Sequence, residues 1–254
     1  MFSLEHDHFS DFYLSCWQRN RSSLPLLFIR SLILIGCVGT WISSMIITGP
    51  IMTFSLWFIF MTHWGVMFNT VTSAFAVVIS LVALIKTPSD SYSSLPWYVK
   101  VYWILFNTSC TIAIFITLFY WIMLTDLAED YGMDPVLDVF IHGINSVLMV
   151  ALVLVARHPM RLLHFYYPLI LGIIYMVFSI IFHFAGGISP FGESWIYPML
   201  DWAEPGETML MVFGSAVMYV VIHALLVGLT VARDALTKRF RESTVLPISD
   251  DRYY

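Results

Sequence analysis

Long apolar stretches separated by short polar segments dominate the chain. A helix needs about 20 mostly apolar residues to cross a bilayer, and six stretches qualify, at about residues 32–48, 55–85, 101–124, 136–156, 163–184 and 209–231. The second stretch is too long for one straight crossing, so we expect it to tilt, kink or project from the membrane. The pattern predicts an all-α integral membrane bundle of six transmembrane helices, 31–232, between an N-terminal segment, 1–30, and a tail, 233–254.

Composition excludes the soluble classes of protein. Hydrophobic residues make up 59 % of the 254 residues and charged residues 11 %, against about 45–50 % and 25 % in soluble domains. Mean hydropathy is +0.81. A soluble enzyme needs a more charged surface, and a disordered chain has far fewer apolar residues. The net charge of −5 gives no indication of nucleic-acid binding, and three scattered cysteines do not make a disulfide framework or a zinc ribbon.

The basic residues predict an orientation. All twelve lie in the N-terminal segment, the second loop, the fourth loop or the tail, and the first, third and fifth loops contain none. The third and fifth loops are acidic instead, with Asp126, Glu129, Asp130, Asp134, Glu193, Asp201, Glu204 and Glu207. The positive-inside rule therefore places both termini in the cytoplasm. The first 30 residues lack a cleavable signal pattern, and the multi-pass protein is expected in the plasma membrane or an endomembrane.

Two polar residues in the spans suggest acyl-transfer chemistry. Thr62 and His142 each follow the outer start of a span, at depths of roughly 10 Å and 9 Å at 1.5 Å per residue. A threonine hydroxyl is a poor nucleophile until a base takes its proton, and histidine is the usual base. A catalytic Thr62/His142 pair is one interpretation. The other is that polar side chains in the spans only hydrogen-bond between helices.

Three further residues could support that pair. Asp138 precedes His142 by four residues on the same helix face, so it either orients the imidazole or ends the acidic loop and faces water. Asn69 and Asn145 are expected to line the cavity, to donate to an oxyanion, or only to pack between helices.

A metal site is the rival use of the histidines. His63, His142 and His183 all fall in the outer half of the predicted bundle. However, no span carries a His-x-x-x-His pair or an acidic ligand at mid-depth. We therefore expect neither a metal nor a cofactor. The lack of charged residues at mid-depth also argues against an ion channel or carrier.

Four strings, in order, resemble a known family. They are Phe60–Gly65, Ile141–Ser146, Pro159–Pro168 and Ile196–Trp202. Together with the six-span layout they are similar to the rolling stone family over about residues 10 to 240. That family is named for a role in myoblast fusion, and it more distantly resembles the androgen-induced-gene family of six-span membrane proteins.

The more distant resemblance implies a chemistry. Androgen-induced-gene proteins are intramembrane hydrolases of fatty acid esters of hydroxy fatty acids that use a threonine and a histidine, and Thr62 and His142 match these two positions. The implied function is an intramembrane lipid-ester hydrolase with membrane lipids as partners and a fatty acid ester as substrate. The alternative is a non-enzymatic membrane protein in cell–cell contact or myoblast fusion. The sequence identifies no protein partner.

Overall fold

Eight α-helices form the described part of the bundle. The computed structural model describes residues 3–86, 94–125 and 134–242. Within them the helices are α1 (Leu24–Met52), α2 (Phe54–Trp57), α3 (Met61–Lys86), α4 (Trp97–Phe119), α5 (Pro135–Val139), α6 (Asn145–Val155), α7 (Tyr166–Phe184) and α8 (Pro205–Glu242). A π-helical turn, Tyr120–Leu124, continues α4, and a second, Phe140–Ile144, joins α5 to α6. Short 3-10 helices lie at Phe9–Phe12, Leu162–Phe165 and Pro198–Leu200.

Six helical segments have the length and apolarity to cross a membrane. They are Leu24–Pro50, Met61–Lys86, Trp97–Leu124, Pro135–Val155, Leu162–Phe184 and Pro205–Phe240. The predicted all-α fold with six spans is confirmed, and the cytoplasmic placement of both termini stays a prediction. The last helix continues to Glu242, about ten residues past its expected end. The acidic third-loop residues Asp126, Glu129 and Asp130, and the tail after Glu242, lie outside the described residues.

The second apolar stretch is not one helix. The chain leaves α1 through Thr53, whose φ is +65°, forms the single turn α2, and passes through residues 58–60 before α3 begins at Met61. Trp57 anchors this connection, since its indole N–H donates to the Ser44 hydroxyl at 3.1 Å. Thr62 is therefore the second residue of its helix and not a residue two turns inside a continuous one. Its depth in the membrane stays a prediction.

Two side chains of the first turn of α3 fold back onto the residues before it. His63 Nδ1 lies 2.5 Å from the Trp57 carbonyl oxygen. The Trp64 indole donates to the Phe58 carbonyl at 2.7 Å. These bonds satisfy the carbonyl groups where the backbone is not helical, which is a requirement away from water. They also fix the start of α3.

Helix α4 occupies the centre of the bundle and packs against α3, α6, α7 and α8. Polar side chains join the helices as the packing interpretation expected. The Thr72 and Ser109 hydroxyl oxygens lie 2.6 Å apart between α3 and α4. The Asn69 amide donates to the Asn145 side-chain oxygen at 2.7 Å between α3 and α6.

The N-terminal segment packs into one end of the bundle, which we call the basic end because Lys100, Arg157, Arg161 and Arg233 gather there. Phe9, Phe12, Tyr13 and Leu14 of this segment are at most 5 % exposed. Asp11 pairs with Arg157 at 2.7 Å, and the Cys16 amide donates to the Val155 carbonyl at 3.3 Å. The segment is thus part of the packed structure.

One basic residue assigned to the N-terminal segment lies inside the first helix. Helix α1 begins at Leu24, and Arg30 is fully buried. Its guanidinium donates to the Ala76 carbonyl at 2.9 Å and to the Ser80 hydroxyl at 2.8 Å. The start of the first span is therefore earlier than the sequence indicated.

Candidate active site

Two cavities meet at the start of α3, at the end of the bundle opposite the basic end. The larger has a volume of about 240 Å³ and lies among α3, α4, α7 and α8, with almost entirely apolar walls. The smaller has a volume of about 90 Å³ and extends towards α5 and the loop before α8. Four residues line both cavities: Thr62, Tyr120, Leu124 and Tyr197.

The smaller cavity brings the predicted catalytic residues together. Thr62, Asp138 and His142 all line it. Thr62 is half-buried, and the Asp138 and His142 side chains are about nine-tenths buried. His142 Nδ1 lies 3.6 Å from Asp138 Oδ1. Of the two interpretations of Asp138, the structure agrees with the one that places it beside the imidazole, and it contradicts the one in which Asp138 faces water.

Tyr120, which the sequence pattern did not mark, packs against the face of the His142 imidazole. The Tyr120 and His142 rings stack with centroids 3.5 Å apart and parallel planes. Tyr120 and Asp138 also line the same small cavity, and the Tyr120 hydroxyl lies close to the carboxylate. Both ring-bearing residues lie in π-helical turns, where one extra residue re-aims the side chains that follow, often at functional sites. Tyr120 sits in an apolar span, so nothing in the hydropathy pattern marks it.

Tyr197 approaches Thr62 from the loop between α7 and α8. Its hydroxyl lies close to the Thr62 side chain and to the start of α3, and Tyr197 and Thr62 line both cavities together. Its ring packs edge-to-face on Phe60 at 5.8 Å. Burial raises the pKa of Tyr197, and the contact with Thr62 opposes that rise in part. The hydroxyl therefore keeps its proton at neutral pH. The string Ile196–Trp202 was the only signal in the sequence for this residue.

The other polar candidates have separate partners. Asn69 and Asn145 bond to one another, and neither lines the two cavities. His63 lines the smaller cavity, but its ring stacks on Trp57 at 4.0 Å and its Nδ1 is at the Trp57 carbonyl. Its first role is therefore to hold the turn before α3.

The three outer histidines do not gather into a metal site. His183 is only partly buried, and its Nδ1 lies 3.3 Å from the Ser194 carbonyl oxygen. Within residues 3–86, 94–125 and 134–242, no group of three or more His, Cys, Asp or Glu side chains is arranged to hold a metal ion.

Comparison with known proteins gives the family. A family model described as "Protein rolling stone" matches residues 1–246. The Protein rolling stone of Drosophila melanogaster is 29 % identical to this chain over 226 residues, which cover 86 % of this chain and 81 % of that protein. No solved structure matches this chain. Since the family match covers nearly the whole chain, the protein belongs to the rolling stone family.

Proposed function

We propose that this chain is an intramembrane hydrolase of lipid esters, in which Thr62 is the nucleophile and His142 the general base. The observation that carries the proposal is the position of Thr62 between the two cavities. One cavity is large and apolar. The other is small and also lined by His142 and Asp138. A hydrolase of lipid esters needs this pairing of a space for the acyl chain with a space for the proton-transfer groups.

The larger cavity suits the acyl part of the substrate. Its wall includes Ile116, Leu169 and Met211, and its volume is about 240 Å³. An acyl chain placed there gains from leaving polar surroundings, at about 0.8 kcal/mol for each buried CH₂ group. Its ester group then lies at the mouth of the cavity, beside Thr62.

The reaction uses the chain's own groups. The Asp138 carboxylate, 3.6 Å from His142 Nδ1, stays ionised and keeps the imidazole proton on Nδ1, which leaves Nε2 as the base. Nε2 takes the Thr62 proton as Oγ bonds to the ester carbonyl carbon. The ester C–O bond then breaks, and the alcohol leaves with that proton. His142 then takes a proton from water, and the resulting hydroxide attacks the carbonyl carbon of the acyl-threonine. The C–O bond to Thr62 breaks, the fatty acid is released, and the proton on His142 restores the Thr62 hydroxyl.

The charge pattern suggests where the substrate enters. Thr62 and His142 lie at the end of the bundle that the positive-inside rule assigns to the outer face. A lipid ester of the outer leaflet would thus reach the larger cavity sideways, whether in the plasma membrane or an endomembrane.

Covalent labelling tests the proposal. A fluorophosphonate probe for serine and threonine hydrolases is applied to membranes containing the full chain, the Thr62→Ala variant or the His142→Ala variant. We expect labelling of the unchanged chain and its loss in both variants. Thr70→Ala is the matched control, because the Thr70 hydroxyl bonds back to the Val66 carbonyl at 2.9 Å and lines neither cavity.

Labelling that persists in both variants, or no labelling of the unchanged chain, would contradict the hydrolase. Either result would favour the alternative of a non-enzymatic role in cell–cell contact or myoblast fusion. A fusion assay with the Thr62/His142 double variant addresses that alternative directly, since full fusion activity there would separate it from catalysis.

A further inference from the structure

The backbone at the start of α3 presents hydrogen-bond donors next to Thr62. The Phe60 carbonyl accepts from the His63 and Trp64 amides at 3.1 and 3.3 Å. The amides of Met61 and Thr62 come before the residues that bond within the helix. Met61, Thr62 and Tyr197 line the larger cavity together, and the Tyr197 ring packs on Phe60, the residue directly before this helix start. A helix start also carries partial positive charge, which favours an anion there.

Several contacts fix Tyr197 over this helix start. Pro198 opens a 3-10 turn directly after it, and the Leu200 amide donates to the Tyr197 carbonyl at 2.8 Å. The ring lies against Phe60, and the Tyr175 ring is 6.5 Å away. The Tyr197 hydroxyl is therefore held at Thr62 without the need for a substrate to order it.

We propose that the Tyr197 hydroxyl and the first-turn amides of α3 form the oxyanion-binding site of this protein. The inference rests on the proposed hydrolase function, and it makes Tyr197 a catalytic residue. As Thr62 Oγ bonds to the ester carbon, the carbonyl oxygen gains negative charge. The Tyr197 hydroxyl and the first-turn amides lie beside Thr62 before the reaction begins. They therefore bind that oxygen without reorganisation.

The other candidates for an oxyanion donor are bonded elsewhere or, like Asn145, line neither cavity. The Asn69 amide is bonded to Asn145, away from both cavities. His63 Nδ1 is at the Trp57 carbonyl. The Tyr175 hydroxyl donates to the Ile59 carbonyl at 2.8 Å. This leaves the Tyr197 hydroxyl as the side-chain donor beside Thr62, the proposed nucleophile.

Tyr197→Phe is the test, because it removes the hydroxyl and keeps the ring that packs on Phe60. Removal of one oxyanion donor lowers kcat by about 100- to 1,000-fold. We expect a fall of that order in kcat for hydrolysis of a long-chain fatty acid ester by the purified full chain, with KM changed less than about threefold. Tyr98→Phe is the control, since Tyr98 is a partly buried residue at the opposite end of α4 and lines neither cavity.

Inhibitor binding separates a catalytic role from a structural one. A long-chain trifluoromethyl ketone forms a tetrahedral adduct with the nucleophile, whereas the alcohol of the same chain length only fills the apolar cavity. We expect Tyr197→Phe to weaken the ketone by at least about tenfold and to leave the alcohol unchanged, because the hydroxyl acts on the charged oxygen alone. A packing defect would weaken both ligands.

A second variant keeps the inference testable if Tyr197→Phe folds poorly. Tyr197→His retains a donor at this position, so its kcat should exceed that of Tyr197→Phe, with thermal unfolding in detergent as the check on folding. If both variants keep kcat within about threefold of the unchanged chain while Thr62→Ala and His142→Ala are inactive, the oxyanion inference is overturned and the hydrolase stands. If the unchanged chain neither hydrolyses the ester nor takes the probe, both are overturned.

Discussion

The His142 imidazole lies flat on the Tyr120 phenol, with ring centroids 3.5 Å apart and parallel planes. Each ring projects from a π-helical turn, one at the end of α4 and one between α5 and α6. Asp138 lies at the edge of the same imidazole. The proposed base is thus restrained by a ring on its face and a carboxylate at Nδ1, which leaves Nε2 as the nitrogen free for proton transfer.

Loss of the ring at position 120 should impair hydrolysis more than loss of its hydroxyl. Tyr120→Leu removes the surface that holds the imidazole flat, and small displacements of a catalytic group are costly. We expect kcat to fall at least about tenfold. Tyr120→Phe keeps the ring that stacks on His142 and loses only the hydroxyl beside Asp138. Its kcat should therefore lie between that of Tyr120→Leu and that of the unchanged chain. Equal kcat values for the two variants would contradict this role of the stack.

Replacing the carboxylate beside His142 tests whether it selects the imidazole tautomer. Asp138→Asn presents an amide N–H or a weaker acceptor to Nδ1 and no longer stabilises the imidazolium. In triads of this kind the same change lowers kcat by up to about 10⁴-fold, and we expect at least tenfold here. Asp134→Asn is the matched control, because Asp134 caps α5 through the Val136 and Leu137 amides and asparagine caps equally well. Parallel losses in the two variants would point to damage of α5 instead.

Filling the larger cavity should change substrate length. Ala216 lines that cavity on α8, and Ala216→Leu adds three carbon atoms to its wall. We expect the ratio of kcat/KM for a short-chain over a long-chain ester to rise at least about fivefold, since the long chain loses buried methylene groups. Ala232→Leu, on an exposed position of the same helix, is expected to leave the ratio unchanged. An unchanged ratio in Ala216→Leu would place the acyl chain elsewhere.

The pair that fastens the N-terminal segment should contribute strongly to stability. Asp11 and Arg157 are 2.7 Å apart with side chains only 4 % and 7 % exposed. Asp11→Asn leaves Arg157 buried without its counter-charge, which costs about 3–5 kcal/mol. The Glu5–Lys100 pair has the same 2.7 Å separation but side chains 55 % and 29 % exposed, so Glu5→Gln should cost no more than about 1 kcal/mol. Unfolding midpoints in detergent distinguish the two, and equal shifts would contradict the argument.

The same end of the bundle should lose stability in mild acid. Burial lowers the pKa of His158 well below its usual range, and the charges of Arg30, Arg233 and His6 act in the same direction. His158 is therefore neutral in the folded protein but binds a proton in the unfolded chain below about pH 6.5. Because the unfolded chain binds more protons, the free energy of unfolding falls as the pH drops through that value.

Thermal unfolding at pH 7.5 and pH 5.5 measures this effect. His158→Gln removes the titrating group, so the difference between its two unfolding midpoints should be smaller than that of the unchanged chain. The ring of His158 stacks on Phe12 at 4.8 Å, so the variant is expected to be less stable at both pH values. An undiminished pH dependence in His158→Gln would assign the effect to another group.

The sequence predicted the six spans because hydropathy along the chain is the dominant signal in a membrane protein. It predicted that the second stretch could not be one straight crossing, but it did not locate the break before α3, since Trp57, Phe58, Ile59 and Phe60 are apolar and continue the pattern. What ends the helix there is tertiary: the Trp57 indole binds Ser44, thirteen residues earlier. A change of register that depends on such a contact cannot be read from local composition.

For the candidate site, the sequence did not predict that Thr62 lies in the first turn of a new helix, but it did predict that Thr62 and His142 lie near one another, and both line the smaller cavity. Both residues follow the starts of helices that begin at the same end of the bundle, and that much follows from alternating spans. Tyr120 and Tyr197 were missed because each reaches the site from another element, one through a π-helical turn and one from a loop. The sequence also left open whether Asp138 is buried, because its burial involves Tyr120, which lies on another element.

The docking of the N-terminal segment also has a consequence for biosynthesis. Cys16 binds the backbone at Leu154 and Val155, and Arg161 binds the carbonyl groups of Ser3 and Glu5. Residues 3–18 are translated before the groups they bind, which emerge about 140 to 160 residues later. The docking of the N-terminal segment must therefore wait until the first four spans have been made.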